Sequence, residues 1–472
     1  MRTFTYTYQD FQEASDKVKF LQTAIEQYRS SDEYKFALEA NEYYAQRNVA
    51  ILESVKKLYN MTGSAVPDYT ASNIQICSNF LHRLITQRLT YSLGNGISFA
   101  NAKQDNQRGH KDKTKEAVGP DFDTFVFLTA KKALLHGVSY GFWNKDRGHI
   151  FPMTEFMPLI DEYDGTLKAG ARFWSLDWDR KPVTVVLYEE DGFTTYRTKD
   201  KQTGLNLEEI EPKRGYIQIV QHSEADGDVV IGETNYSSLP IVPLWGNSMH
   251  TSALSGIKSM IDAYDLINSG FANDVNDCAQ IYWLLGNASG MTDSELLKFR
   301  DQLKFMHIGV VDTDNSSVTP YTQEVPVTAR QACLSELKSL IYESFGALDV
   351  HIVSAGATND HIDAAYQPMD EEADDFEYQM IQFIRQIVAL LGIDDMPVFK
   401  RNRISNQKEQ VDMVMLEAPY LDTETILSKL PNITVDEIPD IIARKNIEDV
   451  ARFNSGLGEQ EQENNENTDN NT

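Results

Sequence analysis

A chain of 472 residues, 41% of them hydrophobic, can bury a substantial core and divide into two or three domains. Its formal net charge of -28, from 71 acidic and 43 basic residues, argues against a protein that grips nucleic acid tightly, since affinity for phosphate comes mainly from Lys and Arg. The same balance suits ordinary solubility, or a wall that DNA slides past without sticking.

Cys77, Cys278 and Cys333 are too far apart for metal-ligand spacing and read as small buried hydrophobes in a reducing compartment. Met1 to Asp10 carries no apolar signal core, and no stretch approaches the ~20 apolar residues of a membrane span. The expectation is synthesis in a cytoplasm, with no membrane partner.

From Asp10 to about Ile97 the pattern is helical. Val49, Leu52, Val55 and Tyr59 recur at helical spacing, and Asn73 to Leu89 places Ile76, Phe80, Leu84 and Ile85 on one side. Asn101 to Pro120 reads as an exposed loop. Asp121 to Tyr140 is again helical, with Phe122, Phe125, Val126, Thr129, Ala133 and Leu134 as its stripe. From His149 to Val242 short β-rich runs are punctuated by Asp164-Gly165, Asp191-Gly192 and Asp226-Gly227, hairpin-type dipeptides that predict an antiparallel sheet.

Beyond Pro243 helices return. Ile257, Met260, Ile261, Tyr264, Ile267, Phe271 and Val275 make one long seam; Leu334, Leu337, Ile341 and Phe345 make another. Thr292 with Glu295, Thr328 with Gln331, and Thr434 with Glu437 have the spacing of capping boxes. A small-residue loop, Ser354-Ala355-Gly356-Ala357-Thr358-Asn359, precedes a long helix carrying Phe376, Met380, Phe383, Ile384, Ile387 and Leu391. From Glu459 no apolar residue remains, which predicts a disordered acidic tail. The fold class is α+β, mainly helical.

Catalytic chemistry does not emerge. There is no phosphate-binding loop, no His-Glu-x-x-His and no nucleophile elbow; Gly94-Asn95-Gly96 reads as a turn, and His351 and His361 are ten residues apart. Carboxylate pairs such as Asp161/Glu162 and Asp177/Asp179 leave an acidic hydrolase as a competing reading. The cluster Asp370, Glu371, Glu372, Asp374, Asp375 and Glu377 reads first as acid in the opening turns of a helix, offsetting its positive end, with an acidic patch facing other subunits or a lumen, or a divalent-metal or acid/base site, as the alternatives. Lys400-Arg401-Asn402-Arg403 stands out as basic, suited to carboxylates of a neighbouring subunit or to phosphates. Trp174 and Trp178 read as core or interface anchors.

Three groups of strings carry a family likeness. Tyr43-Tyr44, Val49 to Leu52, Asn73, Ile76, Asn79-Phe80, Ile85 and Tyr91-x-Leu-Gly94 form the first. Leu239 to Leu244, followed by Ile257 to Tyr264, Ser269 and Asn273-Asp274, form the second. Pro397 to Asn402, leading into Thr423 to Leu427 and Leu430-Pro431, form the third. In this order, from Asp32 to Val450, the chain resembles tailed-bacteriophage portal proteins, the head–tail connector family of siphophage type.

The resemblance implies a portal fold of wing, stem, clip and crown assembled as a dodecameric ring. Residues 1–249 would be the wing, 250–280 the first stem helix, 281–327 the clip and 328–346 the second stem helix. Residues 347–367 would be the tunnel loop, 368–393 the long channel helix, 394–458 the crown and 459–472 the tail. Where the family often has a glycine-containing signature before the long helix, this chain reads His361 to Tyr366.

The stem seam would be Ile257, Met260, Ile261, Tyr264, Phe271, Leu334, Leu337 and Ile341. The tunnel loop would present Ser354 to Asn359 to DNA, and Lys400, Arg401 and Arg403 would be the crown's basic cluster. The implied partners are twelve copies of the chain, double-stranded DNA held weakly and without sequence preference, terminase large subunit, a head–tail adaptor, and major capsid and scaffolding proteins. The implied location is the portal vertex of the virion, after assembly in the bacterial cytoplasm; no catalytic residue, metal or cofactor is implied. A capsid-associated adaptor without a DNA channel is the alternative.

Overall fold

The computed structural model describes residues 4–55, 57–59, 65–67, 72–101, 112–144, 147–175, 182–198, 205–223, 227–277, 282–286, 292, 294–295, 298, 317–321, 326–349, 359–403, 407–430, 433 and 437–448. They form two compact units. One comprises residues 1–40, 83–253 and 346–472; the other comprises 41–82 and 254–345.

The first unit contains the sheet anticipated from the turn dipeptides. Strands β6 (Phe156–Ile160), β7 (Leu167–Trp174), β8 (Thr184–Glu189), β9 (Gly192–Thr198) and β10 (Leu207–Arg214) pair in sequence order as an antiparallel meander. Gly192 turns between β8 and β9 at φ 141°, a conformation costly for residues with a Cβ. Alternate residues of β9 are buried, as a half-covered strand requires. Helices α1 (Tyr8–Glu13) and α2 (Lys17–Ser30) supply Phe11, Leu21, Ile25 and Tyr28 to a core shared with Met157, Leu159, Ala171, Phe173, Val185 and Leu187.

A second sheet orders β13 (Val242–Trp245), β4 (Val138–Asn144) and β5 (Arg147–Pro152). It packs against the helix Phe122–His136 and the 32-residue helix Asn359–Leu390. At 1.5 Å per residue the latter is about 48 Å long. Its stripe Phe376, Met380, Phe383, Ile384 and Ile387 is almost wholly buried. Gly141 of β4 leaves room for the rings of Phe125 and Phe383, which an added Cβ would meet at 2.8 and 2.6 Å. Two-stranded ribbons pair β11 (Ile217–Ser223) with β12 (Gly227–Thr234), and β3 (Ile97–Phe99) with β16 (Pro397–Phe399).

In the second unit, helices Lys258–Asp277 and Val327–Phe345 pack together. They run antiparallel: Arg330 near the start of the second pairs with Asp274 near the end of the first, and Ser344 lies 3.6 Å from the sulfur of Met260. Phe80 stands edge-on to Tyr264 and Tyr342, closing the end where Ile341 and Phe345 are buried. Strands β14 (Tyr282–Gly286) and β15 (Ser317–Tyr321) pair antiparallel between the two helices in sequence.

Several local expectations change. The helical pattern at Val49 gives a single turn, Val49–Leu52, and Tyr59 lies on strand β1 (Lys57–Tyr59), paired with β2 (Ala65–Pro67). The helix expected from Asn73 starts only at Phe80; residues 72–79 are neither helix nor strand, and the alternate amides of Ile74, Ile76 and Ser78 are taken by side chains elsewhere in this unit. A short helix, Lys113–Val118, capped by the Asp112 carboxylate, interrupts the expected loop after Asn101. Thr328 is not a cap, since the helix begins at Val327 and Arg330 N already donates to the Pro326 carbonyl. Of the box expected at Thr292 and Glu295 one half forms: Thr292 N and Oγ1 both donate to the Glu295 carboxylate, while Glu295 N donates to the Thr292 carbonyl and not to the threonine side chain. Cys77 is half-buried and Cys333 exposed, so neither is the buried hydrophobe expected; Cys278 lies outside the described residues.

Candidate functional site

Each unit carries one arrangement of side chains with a definite job. In the second unit this is the helix pair. Ile257, Ile261 and Ile341 of the anticipated seam are buried, whereas Met260, Tyr264, Phe271, Leu334 and Leu337 are half-buried and Val275 is exposed. The covered row runs from Ile257, just before the first helix, through Ile261, Asp265, Ser269 and Asn273 on it, spaced by four residues and changing from apolar to polar halfway along. Sequence reasoning missed its polar half because a search for apolar periodicity passes over Asp, Ser and Asn. Their i, i+4 spacing was the available signal. Burial pushes the Asp265 carboxyl up, against the donors from Asn48 and Ser78 that favour its charged form.

In the first unit an arginine clamp ties the segment after β16 to the helix Asn359–Leu390. Arg401 Nε and Nη2 donate to the two oxygens of Glu377 at 3.1 and 2.9 Å, and Nη1 donates to Asp370 at 2.9 Å; Nη2 also pairs with Asp374. Arg403 pairs with Asp370, with Asp363 at 3.1 Å and with the Tyr91 hydroxyl at 2.9 Å. Arg88, buried, reaches Glu372 at 3.2 Å. Main-chain bonds fix the segment further, since Asn402 N donates to the Tyr91 carbonyl and Asn95 Nδ2 to that of Lys400.

The electrostatic response follows from these partners. Partial burial pushes the Asp370 carboxyl up, but the donors from Tyr91, Arg403 and Arg401 outweigh it and hold the group below the usual carboxylate range. Burial, reinforced by the bond to Asp370, pushes the Tyr91 hydroxyl up to about 12. The Glu377 carboxylate leads the groups that lift the Arg401 guanidinium still further above its ordinary value.

This clamp corrects two expectations. Arg401 and Arg403 meet carboxylates of their own chain, where a neighbouring subunit or phosphates were anticipated; Lys400 is exposed. The acid from Asp370 to Glu377 does not sit in the first turns of its helix, which begins at Asn359 with Pro368 inside it. Three turns in, the helix end has little effect on charge. Among the described contacts, arginines instead pair with Asp370, Glu372, Asp374 and Glu377 of that run.

The other candidates are quickly placed. Ser354, Ala355, Gly356, Ala357 and Thr358 lie outside the described residues, as do His351, Trp178, Asp177 and Asp179; Asn359 opens the long helix. Asp161 and Glu162 are turn residues, accepting from Tyr163 N and Thr7 Oγ1. Trp174 is half-buried under the Arg172 guanidinium, 4.5 Å from its ring. Among the described residues no group of three or more His, Cys, Asp or Glu could hold a metal ion, and no helix is long and apolar enough to cross a membrane.

The arrangement is thus one of helix pairs and ion-pair braces, with no reaction centre among the groups described. Comparison with known families decides what it belongs to. Residues 24–452 match the model of the family described as "Phage portal protein, SPP1 Gp6-like". The chain belongs to the phage portal protein family.

Two relatives of this portal-family chain are similar to it in sequence. The portal protein of Bacillus phage SPP1 is 23% identical over 421 residues, which are 82% of this chain and 79% of that one. The portal protein of Clostridium phage phiCD119 is 29% identical over 215 residues, 43% of this chain; the match spans about half of that relative, 47%. Portal proteins are structural proteins of the capsid, and the mixed helix-and-sheet architecture seen here is consistent with that family.

Proposed function

We propose that this chain forms the portal ring at one capsid vertex, the channel through which double-stranded DNA is packaged and ejected and on which terminase large subunit and a head–tail adaptor dock. Family membership across residues 24–452 carries this reading. The antiparallel pair Lys258–Asp277 and Val327–Phe345 supports it as the stem, with β14 and β15 in the clip between them. In this reading residues 1–249 are the wing and 394–458 the crown, while the tunnel loop ends where the helix Asn359–Leu390 begins, nine residues earlier than the sequence suggested, and that helix is the channel helix.

Simple geometry is compatible with twelve copies. Twelve stem helices side by side at ~8–10 Å spacing give a circumference on the order of 100–120 Å, a ring about 30–40 Å across through the helix axes. Helix thickness leaves a bore of roughly 20–30 Å, just passing a duplex on the order of 20 Å wide. Leu266 and Val275, exposed on the first stem helix, and Met413, Met415, Leu416 and Tyr420, exposed on Gln407–Glu417 and just beyond it, are apolar surface that neighbouring copies would cover. The net charge of -28 suits a wall that holds DNA weakly and without sequence preference.

Size tests the proposal. Twelve chains of 53.5 kDa give about 642 kDa, and electron micrographs of purified protein, alone or with capsid and scaffolding proteins, should show rings with a central hole. An assembly whose residues 258–277 and 327–345 stand away from any central opening would refute the channel.

A further inference from the structure

In the second unit, residues 72–79 run alongside the helix Lys258–Asp277 without a strand partner, and every second amide faces it, the alternation of an extended chain. Side chains of the helix replace that partner. Ile74 N donates to Asn273 Oδ1 at 2.6 Å, Ile76 N to Ser269 Oγ at 2.9 Å and Ser78 N to Asp265 Oδ1 at 2.9 Å. Asn273 Nδ2 returns a bond to the Ile74 carbonyl at 3.2 Å, so its amide exchanges two bonds with one residue as a neighbouring strand would. Asn276 Nδ2 adds a bond to Ser72 Oγ at 2.7 Å.

The match is metrical. Two residues of extended chain advance about 6.7 Å and four residues of helix 6.0 Å, so three rungs accumulate a mismatch of only ~1.5 Å, within the reach of side chains. The segment runs opposite to the helix, with 74, 76 and 78 facing 273, 269 and 265. Its other side is held by side chains too. Gln46 donates to the Cys77 carbonyl at 3.0 Å and Asn48 to that of Ser78 at 3.2 Å, while Gln75 donates to the carbonyls of Leu52 and Ser54 at 3.1 and 2.8 Å. Asn48 also donates to Asp265, joining both sides at one buried carboxylate.

None of residues 72–79 is buried, and Ile74 is 42% exposed. The segment therefore buries no apolar side chain fully, and it is held by hydrogen bonds that water can replace on both partners. A slide by one rung would move Ser78 N to Ser269 and leave Asp265 without its main-chain donor. The docked segment thus permits one axial register.

We propose that residues 72–79 are a detachable strap that locks the helix Lys258–Asp277 in one register, and that it opens as a unit while the two helices stay packed. Released, the helix keeps its contacts with Val327–Phe345 and loses the lock against axial movement. The inference does not depend on the channel reading, since it concerns contacts within one unit of one chain.

Hydrogen exchange and thiol labelling of the full-length protein test it. The amides of Ile74, Ile76 and Ser78 should exchange together, at least tenfold faster than the central amides of the two helices, and Cys77 should react with a maleimide at a rate set by the same opening. Peptide mass spectrometry separates Cys77 from the exposed Cys333, which serves as internal reference. Ser269→Ala should speed Ile76 exchange and Cys77 labelling about fivefold, the factor for one hydrogen bond of ~1 kcal/mol, with helix protection unchanged; Ser269→Thr, which keeps the hydroxyl, should restore both. Strap amides that exchange only in step with the helices in the native protein would overturn the proposal without recourse to any variant. So would unchanged labelling of Cys77 in both Ser269→Ala and Asn273→Ala.

Discussion

Replacing Arg401 by alanine tests whether the clamp holds the segment after β16 to the long helix. Two of its three carboxylates are mostly covered, since the side chains of Glu377 and Asp370 are 13% and 22% exposed; that of Asp374 is 71% exposed. The paired bonds to Glu377 are charge-assisted and bidentate, worth about 1.5–3 kcal/mol before solvent screening, while the exposed pair with Asp374 adds ~0–1 kcal/mol. Arg403 remains on Asp370 and softens the loss. Arg401→Ala should therefore destabilise the first unit by about 2 kcal/mol, a shift in midpoint on the order of 4–8 °C at most for a unit of this size. Arg401→Lys keeps the charge and loses the fork, so about half should return.

Thermal melting at low and high salt, with exchange at the β3–β16 ribbon, is the assay. The native-to-variant gap should narrow at 1 M salt, where the screening length falls to about 3 Å. Asp370 gives the matching pH signature. Its folded value lies below that of the unfolded carboxyl, so the stabilisation is complete above about pH 4 and is lost as pH falls through the folded value. A variant that melts within 1 °C of the native protein at low salt, with unchanged exchange at the ribbon, would refute the clamp.

Two further perturbations probe the first unit. Burial, helped by the charge of Lys132, holds the His136 imidazole down at about 3, so the unfolded chain binds a proton below about pH 6.5 that the folded one refuses. Stability should be full above that pH and drop by about 2 kcal/mol between pH 7 and 5 in denaturant titrations; His136→Gln should remove that slope, and a flat native profile would contradict the burial argument. Gly170→Ala should cost about 1–3 kcal/mol by melting, because the new Cβ would lie 2.1 Å from Cζ of the Phe156 ring, and an unchanged midpoint would mean that the ring has room to move.

What could be read from sequence was whatever one segment decides alone. Asp191-Gly192 and Asp164-Gly165 announced hairpins, because their backbone preference is a property of two adjacent residues. The stripe from Phe376 to Ile387 announced its helix, since apolar periodicity is written on one face. The order of the strings from Tyr43 to Pro431 announced the family. The strap was hidden for the converse reason: Asn73 to Leu89 has helical spacing, and only the polar row 265, 269 and 273, nearly two hundred residues away, draws residues 72–79 into an extended form.

The clamp shows the same division. Arg401 and Arg403 were visible as cations and Asp370 to Glu377 as an acidic run, each legible within a few neighbouring positions. Which cation meets which carboxylate depends on where β16 leaves the chain relative to the long helix, a distance set by folding. Local preference and family membership were therefore determined by the sequence itself. The partners of its charges, and the register of its strap, were decided by tertiary structure, because each needs two remote segments within about 3 Å of one another.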